Sequence, residues 1–217
     1  MLSGLAASAL TVGACNGAGL LATLWRPRDA EKVTDLLGTG AIALSAVVTH
    51  LSSGAGLALR PLALTACIAA WGVRLAGFLC YRAFQNGGDG RLTSNFDTPA
   101  RAAAFWGVSA LWGWLNVLPQ SLACFSPAAA APMGPAGLLA LAGFALGFAV
   151  ESLADYQKWS FKQDPANKGR FCDVGLWALC RYPNYAGEML VWTSLFALAV
   201  PAIAGGAAPT RGQGAGV

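Results

Sequence analysis

The sequence has few charges, one histidine and no closely spaced cysteine pair, and each shortage excludes a class of protein. Charged residues make up 11% of the chain, against about 25% in soluble domains, so an ordinary soluble enzyme is excluded. One histidine, His50, and six cysteines without a Cys-x-x-Cys pair argue against a metal site, and we expect none. The formal charge of +4 comes without a basic stripe, so nucleic-acid binding is not indicated.

Long apolar runs are what the sequence has in abundance. Hydrophobic residues make up 56% of the chain, and a membrane-spanning helix needs about 20 mostly apolar residues. The runs are continuous rather than alternating, which favours helices over a transmembrane barrel. We therefore predict an all-α, polytopic transmembrane helix bundle of about six spans, in one domain over residues 1–204, with a disordered tail over 205–217. The predicted spans are roughly 4–25, 35–58, 61–82, 102–126, 135–157 and 185–204.

Lysine and arginine are distributed unevenly between the predicted loops. Eleven lie in loops on one side of the bundle, and only Arg60 and Arg211 lie on the other. Short loops rich in these residues stay in the cytoplasm, so the bias places the 158–184 loop there. We expect a multi-pass integral membrane protein of the endoplasmic reticulum in a eukaryote, or of the inner membrane in a bacterium. The first run has no basic residue ahead of it, so we interpret it as a retained span rather than a signal peptide.

Small residues four apart within two spans predict close helix packing. The pairs are Gly13 with Gly17 and Gly143 with Gly147, and each pair shares one helix face.

Ionisable residues recur along the fifth predicted span. Glu151, Asp155 and Lys158 are four and three residues apart, so a helix aligns them on one face. Such groups are costly at membrane depth and normally face a polar cavity or a partner. An inert pairing near the membrane interface is the alternative, because side chains at the end of a span can reach water. The stripe favours a polar cavity.

The stretch GLWALCRYPNYAGEMLVW, residues 175–192, places polar groups at the start of the sixth span. Pro183 suits the first turn of a helix, so we expect the span to begin near Tyr182–Pro183. Asn184 and Glu188 then share one face, and Arg181 lies at a helix start, which favours anions. Arg181 and four loop cations together predict a phosphate-binding mouth of a nucleotide-cofactor site. The loop cations are Lys158, Lys162, Lys168 and Arg170.

These residues carry a resemblance to a known family. The stretch ADYQKWSFKQDPANKGRFCDVGLWALCRYPNYAGEMLVW resembles the C-terminal region of the steroid 5-alpha-reductase-like membrane proteins. It is most similar to their DUF1295 branch, whose pattern runs AD-x-Q-K, G-L-W and S-R-H-P-N-Y-x-G-E. Upstream, VTDLLGTG resembles that branch's aspartate and glycines at the second span, and WGVRLAGFLCYR its W-x-x-R-L segment. The resemblance covers about residues 33–200.

The resemblance implies an enzyme: an NADPH-dependent reductase acting on a carbon–carbon double bond of a sterol-like or enone lipid. Tyr185 is the expected catalytic donor that polarises the substrate carbonyl, with Tyr81 and Arg74 as alternatives. Tyr182 stands where the family usually has histidine, and Cys180 where it commonly has serine. The implied cofactor-binding residues, matched position by position, are Asp155, Lys158, Lys162, Gly175, Trp177, Arg181, Tyr182, Asn184, Tyr185 and Glu188.

Two other functions stay open on the same residues. Methyltransferases of the isoprenylcysteine carboxyl or phospholipid type share a similar R-H-P-x-Y-x-G signature but use S-adenosylmethionine. That cofactor has no phosphate, so the five loop cations favour NADPH, although positive-inside topology explains many of them. The family usually continues with a basic cytoplasmic tail where this chain ends in APTRGQGAGV, so a truncated, non-catalytic relative is the third interpretation. The expected partners are a hydrophobic lipid substrate and membrane lipids.

Overall fold

The regular structure of the protein is entirely helical over residues 2–207, the part of the chain that this computed structural model describes. The prediction of an all-α fold is confirmed. The disordered tail was predicted to start at Gly205, whereas helix α8 continues to Ala207, and residues 208–217 lie outside the described residues. The long helices are α1 (Leu2–Trp25), α2 (Pro27–Ser53) and α3 (Leu59–Gln85), then α5 (Pro99–Cys124), α6 (Pro135–Gln163) and α8 (Pro183–Ala207). The short elements are α4 (Thr93–Phe96), a 3-10 turn (Pro165–Asn167) and α7 (Leu176–Leu179).

Five of the helices are long and apolar enough to cross a membrane, namely α1, α2, α3, α6 and α8. The protein is therefore a multi-pass membrane protein. The predicted span at 102–126 forms helix α5, but this helix is not among the five. Helix α5 has the length of a span, and its only charged residue, Arg101, lies in its first turn. Five of the about six predicted spans therefore meet this criterion among the described residues, and the remaining one forms a helix of 26 residues.

Helix α2 begins eight residues earlier than predicted. Pro27 occupies its first turn together with Asp29, a combination that suits a helix start because proline loses no hydrogen bond there and a carboxylate complements the dipole. Gly54, with φ 68°, ends the helix in the left-handed conformation. Asp35 consequently lies in the third turn of α2 rather than at its first residue. At α8 the predicted start at Pro183 is confirmed.

The chain groups into two compact units, Met1–Pro132 with Ala199–Val217, and Met133–Leu198. In the first unit, α1 packs against α2 and α5, and α2 packs against α3. Phe96, Phe105 and Trp106 form an aromatic cluster in this unit, and the indole Nε1 of Trp106 donates a hydrogen bond to Thr23 Oγ1 at 2.9 Å. The single domain over residues 1–204 stays a prediction.

In the second unit, α6 and α8 approach through glycines. A Cβ on Gly187 would lie 2.6 Å from the backbone nitrogen of Glu151, and a Cβ on Gly147 would lie 2.7 Å from the carbonyl oxygen of Gly187. The packing predicted for Gly143 and Gly147 is confirmed. The same prediction is wrong for Gly13 and Gly17, because none of the described residues lies within 4 Å of a Cβ built on either. Their face of α1 is open.

Candidate cofactor site

Three acidic residues lie on the two helices that cross at these glycines. Glu151 is only 2% exposed, and its backbone forms part of the crossing. Asp155 lies one helical turn further along α6 toward the 158–184 loop, about 6 Å along the axis, and Glu188 follows Gly187 on α8. Asp155 and Glu188 are both half-buried. Both side chains are partly shielded, and a polar cavity between them stays a prediction.

The end of α6 holds α7 through three contacts. The ammonium of Lys158 lies 4.5 Å from the centroid of the Trp177 ring, and Trp177 Nε1 donates to the carbonyl oxygen of Ala154 at 2.8 Å. The backbone nitrogen of Leu176 donates to Gln157 Oε1 at 2.9 Å. The structure thus brings together the segments 154–158 and 175–177, which the sequence placed in one site.

Gly175 is the residue that allows this close approach. Its φ is 56°, in the region that favours glycine. A Cβ at this position would lie 2.3 Å from Gln157 Nε2. The backbone conformation and the contact with Gln157 therefore explain a glycine at this position without any bound ligand.

Two of the loop cations are engaged inside the loop itself. Lys162 Nζ donates to the carbonyl oxygen of Arg170 at 2.5 Å. The Arg170 guanidinium donates to Asn167 Oδ1 at 3.1 Å and lies 4.0 Å from an Asp173 carboxylate oxygen. With Lys158 on the Trp177 ring, three of the five cations assigned to the phosphate-binding mouth have partners within the loop and its flanking helix.

The start of α8 presents stacked tyrosines. The rings of Tyr182 and Tyr185 are stacked with centroids 5.6 Å apart, and the Arg181 guanidinium lies 5.4 Å from the Tyr182 centroid. Tyr185, the predicted catalytic residue, is 58% exposed. The side-chain oxygen of Asn184 is buried and accepts no hydrogen bond from the described residues. Of the alternatives in α3, Tyr81 is exposed and Arg74 is half-buried.

A cavity of about 830 Å³ lies in the first unit, between α2, α3, α4 and α5. None of the predicted cofactor-binding residues lines it. Its apolar wall includes Leu75, Leu79, Phe105 and Trp112, and its polar lining includes Thr34, Asp35, Thr39, Ser94, Asn95, Arg101 and Ser109. Sequence reasoning missed this site. The available signal was Asp35, an ionisable residue among apolar ones. The second span was predicted to start at this residue, so Asp35 was placed at the edge of the membrane.

The loop between α3 and α5 is held by charged groups around Asp89. Its carboxylate accepts hydrogen bonds from the Arg91 side chain, including one from Nε at 2.8 Å, and lies 3.6 Å from the Arg82 guanidinium. The hydrogen bond from Arg91 lowers the pKa of Asp89, more strongly than partial burial raises it. Further along the loop, Thr93 Oγ1 donates to Glu31 Oε1 at 2.9 Å.

Comparisons with known proteins place the chain in a family without an assigned function. The sequence model of DUF1295, described as a protein of unknown function, matches residues 23–210. A curated protein of Ustilaginoidea virens, described as the probable O-methyltransferase ustE, is 39% identical over 56 residues. The match covers 26% of this chain and 19% of that protein, so this chain spans about a fifth of its relative's length. No solved structure matches the chain.

Proposed function

The chain belongs to the DUF1295 family, and from that premise we propose that it is a membrane-embedded methyltransferase. In this proposal it transfers a methyl group from S-adenosylmethionine to an oxygen atom of a lipophilic acceptor. The cofactor binds in the second unit, where the 158–184 loop meets the end of α6 and the start of α8.

The proposal rests on one observation: three of the five loop cations already contact other groups of the loop and of α6. NADPH brings a pyrophosphate and a further phosphate, which are bound in proteins by several arginine and lysine side chains. Lys158, Lys162 and Arg170 instead hold the loop together. S-adenosylmethionine carries no phosphate and a positive sulfonium, and aromatic faces attract cations. The start of α8 supplies such a face in Tyr185, which is exposed and stacks on Tyr182.

Asn184 provides a test of fit that is independent of the cations. Its buried side-chain oxygen accepts no hydrogen bond from the described residues, and leaving such an acceptor unpaired costs about 1–3 kcal/mol. A ribose hydroxyl or the ammonium group of S-adenosylmethionine supplies the missing donor. Asp155 and Glu188, half-buried on the flanking helices, add carboxylate acceptors for the same groups.

The chemistry then divides between the chain and the cofactor. Bound S-adenosylmethionine supplies an electrophilic methyl group: an O–CH3 bond forms as the S–CH3 bond breaks, and S-adenosylhomocysteine leaves. The exposed face of Tyr185 holds the sulfonium end, and Asn184 fixes the polar end. A carboxylate acceptor needs no base, whereas a hydroxyl acceptor gives its proton to a site carboxylate or to water. The match to a protein described as a probable O-methyltransferase supports transfer to oxygen.

The NADPH-dependent reductase is the second candidate, and Arg181 favours it. Arg181 is exposed two residues before the first residue of α8, where a guanidinium and a helix N-terminus suit a phosphate. Lys168 is also exposed. In this alternative Tyr185 donates a hydrogen bond to the carbonyl of a sterol-like or enone lipid, and the residues of the cofactor site hold NADPH.

Cofactor binding distinguishes the candidates. Calorimetric titration of the purified protein in detergent with S-adenosylmethionine is expected to show binding that Asn184→Leu weakens at least about tenfold, the loss of one hydrogen bond to a charged group. Asn116→Leu, a change of the same type on α5, serves as the control. Arg181→Ala is expected to leave this binding unchanged.

The opposite result points to the alternatives. NADPH binding that Arg181→Ala abolishes, without binding of S-adenosylmethionine, overturns the methyltransferase in favour of the reductase. Binding of neither cofactor by a protein that elutes as a single species favours a non-catalytic relative.

We also propose that the 158–184 loop faces the cytoplasm, as the lysine and arginine bias indicates. Cys180 is exposed and provides a natural reporter. A membrane-impermeant maleimide is expected to label it in permeabilised cells and not in intact ones, with Cys180→Ser as the control. Labelling of Cys180 in intact cells contradicts this orientation.

A further inference from the structure

The cavity of the first unit combines an apolar wall with a polar mouth. Leu75, Leu79 and Val108 line it beside the Phe105 and Trp112 rings, and Ser94 and Asn95 contribute from α4. Its volume of about 830 Å³ falls within the range of about 300–1,000 Å³ for small-molecule sites. A cavity with separate apolar and polar surfaces suits an amphiphilic ligand.

Asp35 is the residue that gives the mouth its chemistry. The carboxylate is half-buried and lines the cavity. It forms no hydrogen bond or ion pair with another residue in the described part of the chain. A carboxylate within a helix of membrane-spanning composition is costly without hydrogen-bond donors. A donor in the cavity, either water or a bound molecule, would lower this cost.

The surrounding charges define what kind of head group fits. Asp35 and Asp89 contribute two negative charges, and Arg82 and Arg91 contribute two positive ones that act on Asp35 from a greater distance. Arg101 at the mouth is paired with Asp97 at 3.5 Å. The mouth is thus electrically balanced, and a head group with a full charge would disturb it. A hydroxyl group suits it, because it donates to the carboxylate and accepts from the Asn95 amide or the Arg101 guanidinium.

We propose that this cavity binds an uncharged, lipid-sized alcohol, with its hydroxyl group donating to Asp35 and its apolar body lying against Leu75, Leu79 and Trp112. The site involves residues of VTDLLGTG that the cofactor site leaves unused, Asp35, Gly38 and Thr39. Gly38 leaves room between α2 and α5 at this point, since a Cβ on it would lie 3.1 Å from Ser109 Oγ. The binding needs neither cofactor nor turnover, so it stands or falls separately from methyl transfer.

The proposal is tested by photo-crosslinking in lipid nanodiscs. The probe is a long-chain alcohol carrying a diazirine and an alkyne, and its methyl ether is the matched comparison. The alcohol is expected to label peptides of α2, α3 and α5 that line the cavity, and an excess of unmodified alcohol is expected to compete. The ether is expected to label them about tenfold less, because it cannot donate to the carboxylate. This comparison uses the unaltered protein and does not depend on a variant's folding.

Two pairs of measurements then locate the site. Ala103 and Ala104 are both exposed, but only Ala104 lines the cavity. Ala104→Trp is expected to abolish labelling and Ala103→Trp to preserve it. Asp35→Asn is expected to lower alcohol labelling toward the level of the ether. Equal labelling by alcohol and ether, equal loss in the two tryptophan variants, or labelling without competition overturns the proposal and leaves nonspecific lipid contact.

Discussion

The ammonium of Lys158 lies 4.5 Å from the centroid of the Trp177 ring, and the same indole donates a hydrogen bond to the Ala154 carbonyl. One side chain thus fastens the loop to the end of α6 in two ways. Trp177→Leu removes both contacts, which together contribute about 1–2 kcal/mol. We expect the loop to open five- to thirtyfold more often.

Tryptic cleavage measures this opening. Lys162, Lys168 and Arg170 are exposed cleavage sites within the loop, and cleavage there is expected to accelerate by the same factor when opening precedes it. Trp25→Leu, at the 80% exposed end of α1, is the matched control and is expected to leave this cleavage rate unchanged. An unchanged rate in Trp177→Leu means that other contacts hold the loop.

The glycine crossing of α6 and α8 leads to a contrast between two identical substitutions. Gly187→Ala places a methyl group 2.6 Å from the backbone nitrogen of Glu151, where backbone rather than a flexible side chain must move. We expect a loss of about 1–3 kcal/mol in the free energy of unfolding. Gly13→Ala places the same group where no described residue lies within 4 Å, so we expect it to be neutral or slightly stabilising through helix propensity. Thermal unfolding in detergent measures both, and equal midpoints contradict the crossing.

The hydrogen bond from Trp106 to Thr23 joins α5 to α1 in the first unit. Thr23→Val keeps the shape of the side chain and removes the acceptor, leaving a buried indole donor unpaired. Such bonds between membrane helices contribute about 0.6 kcal/mol on average and up to about 1.7, so a small decrease in the unfolding midpoint is expected. Thr23→Ser restores the acceptor and should recover most of the loss. A decrease of the same size in both variants would assign the effect to packing.

Acidification should release the loop around Asp89. Its pKa is lowered in the folded protein by the hydrogen bond from Arg91, so its contribution to stability is present above the unfolded value of 3.8. It is lost as the pH falls through the folded value. Hydrogen exchange of residues 86–92 is expected to rise below about pH 4.

Asp89→Asn serves as the comparison at each pH. It removes the titrating group, so the loop should exchange faster already at neutral pH and show a weaker dependence on acid. Parallel pH profiles for the two proteins mean that another group controls the loop.

Much of the fold could be predicted because apolar run length determines membrane helices. Gly143 and Gly147 indicated a close crossing, and Pro183 marked the start of α8. The same reasoning was wrong for Gly13 and Gly17, since a small residue allows an approach and does not specify a partner. The second span was placed too late because the first turns of α2 are charged, and those charges hid a helix start that Pro27 and Asp29 encode.

The candidate site was predictable in its members and less so in its electrostatics. The spacing placed Asp155 and Lys158 on one helix face, the resemblance added Trp177, and the structure confirms that Lys158 and Trp177 lie close together. Counting cations could not show that Lys162 and Arg170 are engaged with the loop backbone and side chains, because such pairing depends on how the loop turns. The role of these residues in binding a cofactor stays a prediction.

The backbones of α6 and α8 are in contact at their crossing, so the rotation of each helix about its own axis is fixed there. A small sequence change cannot alter that rotation by a small amount. Each residue of a helix turns the chain by about 100°, so inserting one residue between Gly147 and Asp155 would rotate the acid by that angle relative to the crossing. Substitutions can adjust the side chains beyond the glycines one at a time. An insertion or deletion within this stretch moves all the side chains beyond the glycines at once. We therefore expect such changes to be among the least tolerated in the protein.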